Sequence, residues 1–168
     1  MAERDTKEYI DGLIELKAGA LGLLRNHAGR RLDETLDGFD LFAGLWWPLR
    51  QKNQRAPRRE VAWLIAKIYA FRPIEHSPGN TLAAQLARCL PFKDVDKKRF
   101  TKRFDRLLTL PLDKIETDLR WALDVVDANV RKLDWVKLTD DLSSWEREST
   151  RFGWAEEFLN TNQGGQPC

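Results

Sequence analysis

Histidine and cysteine are scarce in this sequence, with two of each among 168 residues. Cys89 sits in a helical pattern and Cys168 is the last residue, so they provide neither a disulfide framework nor a paired-cysteine metal spacing. His27 and His76 both stand beside turn residues, with no serine or cysteine nucleophile arranged around them and no HExxH pair. A glycine-rich phosphate cradle is also missing. Asp140-Asp141 and Glu156-Glu157 are the only suggestive acids, but sequence neighbours point to different sides of a helix. A metal-dependent nuclease needs carboxylates that converge. These pairs are expected to be surface charge, and no catalytic residue, metal or cofactor is expected. Nowhere does the chain approach the roughly 18 consecutive apolar residues of a membrane-spanning helix. Its first residues, MAERDTKEYIDG, alternate acid and base without an apolar signal core. The expectation is a cytoplasmic protein with no membrane partner.

Aromatic residues are plentiful. Seven Trp and eight Phe, within a hydrophobic content of 42%, supply the anchors of a substantial core. Almost every segment repeats with helical period. Helices are expected from Tyr9 to an end near His27-Ala28-Gly29, from Asp37 to a kink or stop at Pro48, and from Pro57 to Arg72. Others are expected over Thr81–Leu90, Asp94–Leu110, Leu112–Arg131, Asp134–Trp145 and Glu148–Asn160. No strand shows convincing alternation. The expected fold class is all-α, two small helical bundles of about eight helices in total. The first would span residues 1–90 and the second 91–162, with 163–168 as a disordered tail.

Charge is unevenly placed. Residues 1–110 hold 21 Lys and Arg against 14 Asp and Glu, whereas 111–168 hold 7 against 12. Such a split suits a protein with one face toward a polyanion and others toward protein. The strongest local signal is DVDKKRFTKRFDRLL, residues 94–108. On a helix, Arg99, Lys102, Arg103 and Arg106 fall at i, i+3, i+4 and i+7, forming one cationic stripe. Phe100, Phe104, Leu107 and Leu108 form a second stripe that faces a core. Asp94 and Asp96 suit the positive end of the helix dipole. Cations repeated on a rod at about 5 Å per turn can meet several phosphates together. The competing reading is a plain solvated face.

A second cluster, Arg50, Lys52, Arg55, Arg58 and Arg59, sits in a loop and the first turn of a helix. There free backbone N–H groups would add to its pull on phosphate. Cations disfavour the helix at that end, so either an outside anion compensates them or the segment is a solubilising loop. Arg25, Arg30 and Arg31 form a weaker third cluster at a helix C-terminus, where they stabilise the helix in any case. Trp46, Trp63 and Trp121 lie on apolar stripes and are expected in the core. Without an exposed aromatic platform, the chain is expected to contact nucleic-acid backbone without reading base sequence.

Several ordered motifs carry a resemblance. Leu119-Arg120-Trp121 leads to Leu133-Asp134-Trp135, then Leu142-Ser143-Ser144-Trp145, then Trp154-Ala155-Glu156-Glu157-Phe158-Leu159-Asn160-Thr161. Upstream stand Thr81-Leu82-Ala83 through Leu86-Ala87, and Phe42-Ala43-Gly44-Leu45-Trp46-Trp47-Pro48. In this order the chain resembles the CasB family, the small subunit of the type I-E CRISPR Cascade complex. The resemblance spans most of the chain and rests on order and spacing, since each motif alone is loose.

That resemblance implies a non-catalytic, all-helical subunit of which two copies lie head to tail in the assembly. Its partners would be the guide-RNA-bearing backbone subunits, the large subunit, and the target and displaced DNA strands of the R-loop. Arg58 and Arg103 match basic positions of the family. Arg120 falls in a basic pair whose partner position here is Trp121. Arg147 and Arg151 fall in the basic region before the last helix, and Arg25 aligns loosely with an arginine near the end of the first. The chain departs from the pattern at Thr109 and Leu112, where the family can carry arginine; its cations are crowded one or two turns earlier. The nucleic-acid-binding set expected from residues and resemblance together is Arg25, Arg58, Arg59, Arg99, Lys102, Arg103, Arg106, Arg120, Arg147 and Arg151. The alternative is a helical protein–protein adaptor whose basic stripes bind acidic partners.

Overall fold

The computed structural model describes residues 2–31, 37–52 and 57–163. The expected tail lies almost wholly outside these. Nine α-helices are found among the described residues: α1 (Ala2–Ile14), α2 (Ala18–Arg25), α3 (Asp37–Lys52), α4 (Arg59–Phe71), α5 (Leu82–Arg88), α6 (Asp94–Thr109), α7 (Glu116–Asn129), α8 (Trp135–Ser143) and α9 (Glu148–Gln163). The all-α expectation holds, with corrections of detail. The first expected helix is two, because the chain turns extended at Lys17 (φ −77°, ψ 162°). Gly12, Gly19 and Gly22 around that point weaken a continuous helix. Pro48 does not end α3, which runs on to Lys52. Proline there withholds one N–H from the Gly44 carbonyl, yet the helix continues for one more turn. A single 3₁₀ turn (Leu112–Lys114) stands before α7 where a continuous helix was expected.

Two strands escaped the sequence reading. β1 (Glu75–His76) and β2 (Lys132–Leu133) pair in parallel, Glu75 opposite Lys132 and His76 opposite Leu133. Two residues are too few to show alternation. Gln85 Nε2 donates to the Lys132 carbonyl at 2.7 Å, which ties β2 to α5.

The chain forms two compact units, Met1–Pro73 with Trp135–Ser143, and Ile74–Asp134 with Ser144–Cys168. They divide the chain differently from the expected 1–90 and 91–162. The first division falls after Pro73, and α8 belongs with α1 and α4 in the earlier unit. In that unit α4 is buried from Val61 to Ala70 on every side, as a central helix must be. Tyr9, Ile10 and Leu13 of α1, Leu24 of α2, and Trp135, Leu138 and Leu142 of α8 are buried too. Trp135 meets Tyr69 edge-on at 5.2 Å between centroids. Burial explains why α8 docks here: its Trp135 and Leu142 are fully covered.

In the other unit, small Ala83, Ala84 and Ala87 allow α5 to lie against α9. Thr81 caps α5 by accepting from the Ala84 N–H, and its hydroxyl donates to Glu157 of α9. Phe104 of α6 stacks on Phe158 of α9, with centroids 4.3 Å apart. The Trp145 indole N–H donates to the Leu110 carbonyl at 2.9 Å, fastening the end of α6.

Candidate nucleic-acid interface

Helix α6 presents its two stripes as its sequence dictates. Phe100, Phe104 and Leu107 are buried, while Arg99, Lys102, Arg103 and Arg106 are exposed. These cations are not equivalent. Arg99 and Lys102 make no side-chain hydrogen bond or ion pair among the described residues, and neither do Lys97 and Lys98. Arg103 places its guanidinium over the Trp121 ring, 4.8 Å from the centroid. Arg106 Nε lies 3.8 Å from Asp118 Oδ1, whose carboxylate is buried on α7. Two of the four arginine and lysine heads are thus steered by α7, and two are left wholly to solvent.

The remaining predicted residues fall in several places. Arg120, on α7 between Asp118 and Trp121, is half-buried rather than fully presented. Arg147 is exposed just before α9. Arg151 Nε donates to the Trp145 carbonyl at 2.9 Å, and its guanidinium lies 5.5 Å from the Trp145 ring centre. It therefore braces the corner that Trp145 fastens. All of these, with the α6 stripe, belong to one unit. Arg25, Arg58 and Arg59 belong to the other. Arg25 is exposed and folds back on its own helix, its Nε 3.4 Å from the Leu21 carbonyl. Arg58 is half-buried and provides the extended residue before α4, and Arg59 is exposed, 3.8 Å from Glu60. Arg55 lies outside the described residues.

The tryptophans follow expectation in part. Trp63 is buried and its indole N–H donates to the Arg30 carbonyl at 2.9 Å. Trp46 and Trp121 are only half-buried, and Trp47 is exposed. Two exposed aromatics went unnoticed in the sequence: Phe92, two residues before α6, and Phe152 on α9. Val95, by contrast, was legible on α6, four residues before Arg99 and in phase with the cations, not with Phe100 and Phe104.

Of the paired acids expected as surface charge, Glu156 is exposed, whereas the other three are engaged within the fold. Thr6 donates to Asp140 Oδ1 at 2.7 Å, and Lys137 Nζ donates to Asp141 Oδ1 at 2.6 Å. Glu157 is engaged by Thr81. No cluster of three metal-ligating side chains occurs among the described residues, nor any helix long and apolar enough to cross a membrane.

The family model for CRISPR-associated protein Cse2 matches residues 20–159. The chain belongs to the Cse2 family. A Cse2 protein of Thermus thermophilus is 32% identical over 112 residues, which take in 66% of this chain and 62% of that relative. The match therefore spans less than two thirds of the relative's length. Among solved structures, CasB from Thermus thermophilus is similar with a TM-score of 0.71 at 26% identity, covering 95% of this chain and 97% of that one. CasB from M. ruber shares the fold, with a TM-score of 0.72 at 19% identity over 96% and 94% of the two chains. The Cse2 match reaches from α2 to α9 and includes all of α6.

Proposed function

We propose that this Cse2-family chain is a non-catalytic small subunit of a type I-E Cascade complex, holding the target and displaced DNA strands through phosphate contacts that ignore base sequence. The observation that carries this reading is the face of α6. Arg99 and Lys102 are exposed and have no side-chain hydrogen bond or ion pair among the described residues, and the same holds for Lys97 and Lys98. Asp94 stands four residues before Lys98, Asp96 three before Arg99 and Asp105 three after Lys102, spacings at which ion pairs can close on a helix, yet none of these pairs forms among the described residues. Unneutralised cations on one rod release counterions when they meet a polyanion, which is the main source of sequence-indifferent affinity.

The adaptor reading draws on α9. Phe152 and Leu159 are exposed at i and i+7, and Phe152 borders a cavity of about 350 Å³ shared with Leu108, Thr109, Glu148, Arg151 and Ala155. That surface suits a protein partner, and in an assembly both surfaces are used. The test is reconstitution of a type I-E complex with either the wild-type chain or Arg99→Glu/Lys102→Glu. The expected result is equal incorporation of both, with the displaced strand less protected from single-strand-specific chemical probing in the variant. Equal protection would leave the adaptor as the sole role.

A further inference from the structure

Residues 92–99 are all exposed, so the core of this unit first grips α6 at Phe100. The segment just before that helix and its first turn and a half therefore stand clear of the packing that normally stabilises a helix. This projecting end carries two large apolar side chains, Phe92 at 82% exposure and Val95 at 63%. Val95 lies four residues before Arg99 and seven before Lys102, on the same face of α6 as the cations. Lys98, three residues after Val95, lies on the neighbouring flank, whereas Lys97 turns to the far side and Asp94 and Asp96 flank Val95 in sequence. Lys93, Lys97 and Lys98 are exposed and without a side-chain ion pair among the described residues, and the Phe92 ring is left uncovered beside them.

We propose that Phe92 is a stacking platform for an unpaired nucleobase, with Lys98, Arg99 and Lys102 tracking the phosphates on either side of it. The inference rests on the nucleic-acid reading above and adds to it a preference for single strands. Every base offers a π-face, so stacking tolerates sequence, and it is denied to a base already paired within a duplex. The ligand needs a flat apolar surface and a closely attached anion in one molecule, and an unpaired nucleotide joins the two. A purely acidic protein segment would use the lysines and leave Phe92 idle. A purely apolar one would leave the lysines uncompensated.

The test compares wild type, Phe92→Ala and Phe92→Leu by fluorescence anisotropy at low salt, on an oligothymidine strand, the same strand with abasic sites, and a duplex. Phe92 makes no core contact, so its loss leaves folding intact. The expected result is that Phe92→Ala weakens oligothymidine binding by about five- to a hundredfold and leaves duplex and abasic affinities unchanged. Phe92→Leu should keep little of the difference. Unchanged oligothymidine affinity in Phe92→Ala, with wild type still binding, overturns the stacking platform and spares the phosphate contacts. An equal loss on all three ligands also overturns it, since that would make Phe92 a support for the helix. Failure of wild type to bind any of them removes both readings.

Discussion

The guanidinium of Arg103 lies over the ring of Trp121, 4.8 Å from its centroid, while Phe100 meets the same ring edge-on at 5.1 Å. One residue of the cationic stripe is therefore also part of the seam between α6 and α7. Replacing Arg103 by Glu should lower stability by about 0.5–1 kcal/mol through loss of this contact, besides weakening nucleic-acid binding. Arg103→Lys keeps the charge but not the planar stacking. Urea denaturation of both variants separates the two contributions, and an unchanged midpoint in Arg103→Glu would show that the seam holds without it.

Phe104 is a pure core residue by contrast, 2% exposed and stacked on Phe158. Phe104→Ala should cost about 3–5 kcal/mol. The thermal melt is the measurement, and a midpoint within a degree or two of wild type would mean that α6 can turn another face inward.

Arg131 closes α7 with φ +54°, a left-handed conformation usually taken by glycine, and its N–H donates to the Val126 carbonyl at 2.8 Å. Its side chain is exposed and reaches only the Asp127 carbonyl at 3.2 Å. Arg131→Gly should stabilise the chain by about 1 kcal/mol, since the Cβ strain exceeds the value of one exposed hydrogen bond. Destabilisation on denaturant titration would contradict this.

Tyr9 is buried and donates its hydroxyl proton to the Ala62 carbonyl, and burial pushes its ionisation well above the ordinary tyrosine range. Its neutral form is favoured in the folded state, so its contribution is complete below about pH 10, where the unfolded side chain is still protonated. It is lost as pH rises beyond that, by about 1.4 kcal/mol per pH unit until the folded state titrates. Tyr69, whose ionisation burial raises less strongly, adds to the same alkaline slope. Tyr9→Phe should flatten the fall in stability between pH 10 and 12, as seen in urea midpoints across that range. An identical slope would show that other groups govern alkaline unfolding.

The legibility of this chain follows the range of the forces involved. Helix α6 could be read almost to its ends because both its stripes recur at local helical spacing, and local spacing is all a sequence displays. The acidic pair Asp140-Asp141 could not, since its partners include Thr6, far away in sequence. The return of α8 to the earlier unit depends on Trp135 meeting Tyr69, again a long-range event. Arg151 falls by resemblance in a basic region, and nothing in the local sequence shows that its Nε holds the Trp145 carbonyl. Trp121 was expected in the core and is half-covered by an arginine instead. Phe92 was missed because phenylalanine is counted toward a core by default, and it stands in the bend before α6 where no helical spacing shows which way it faces.

Arg99 and Lys102 give the cleanest probe of the central claim, because neither takes part in packing that a substitution would disturb. The measurement is an anisotropy titration of wild type and Arg99→Glu/Lys102→Glu with scrambled single- and double-stranded DNA at two salt concentrations. The account predicts sequence-indifferent wild-type binding that falls steeply with salt. It also predicts a large loss of affinity in the variant, with unchanged helical circular dichroism. Wild-type binding that ignores salt, or a variant that binds as tightly as wild type, would contradict it.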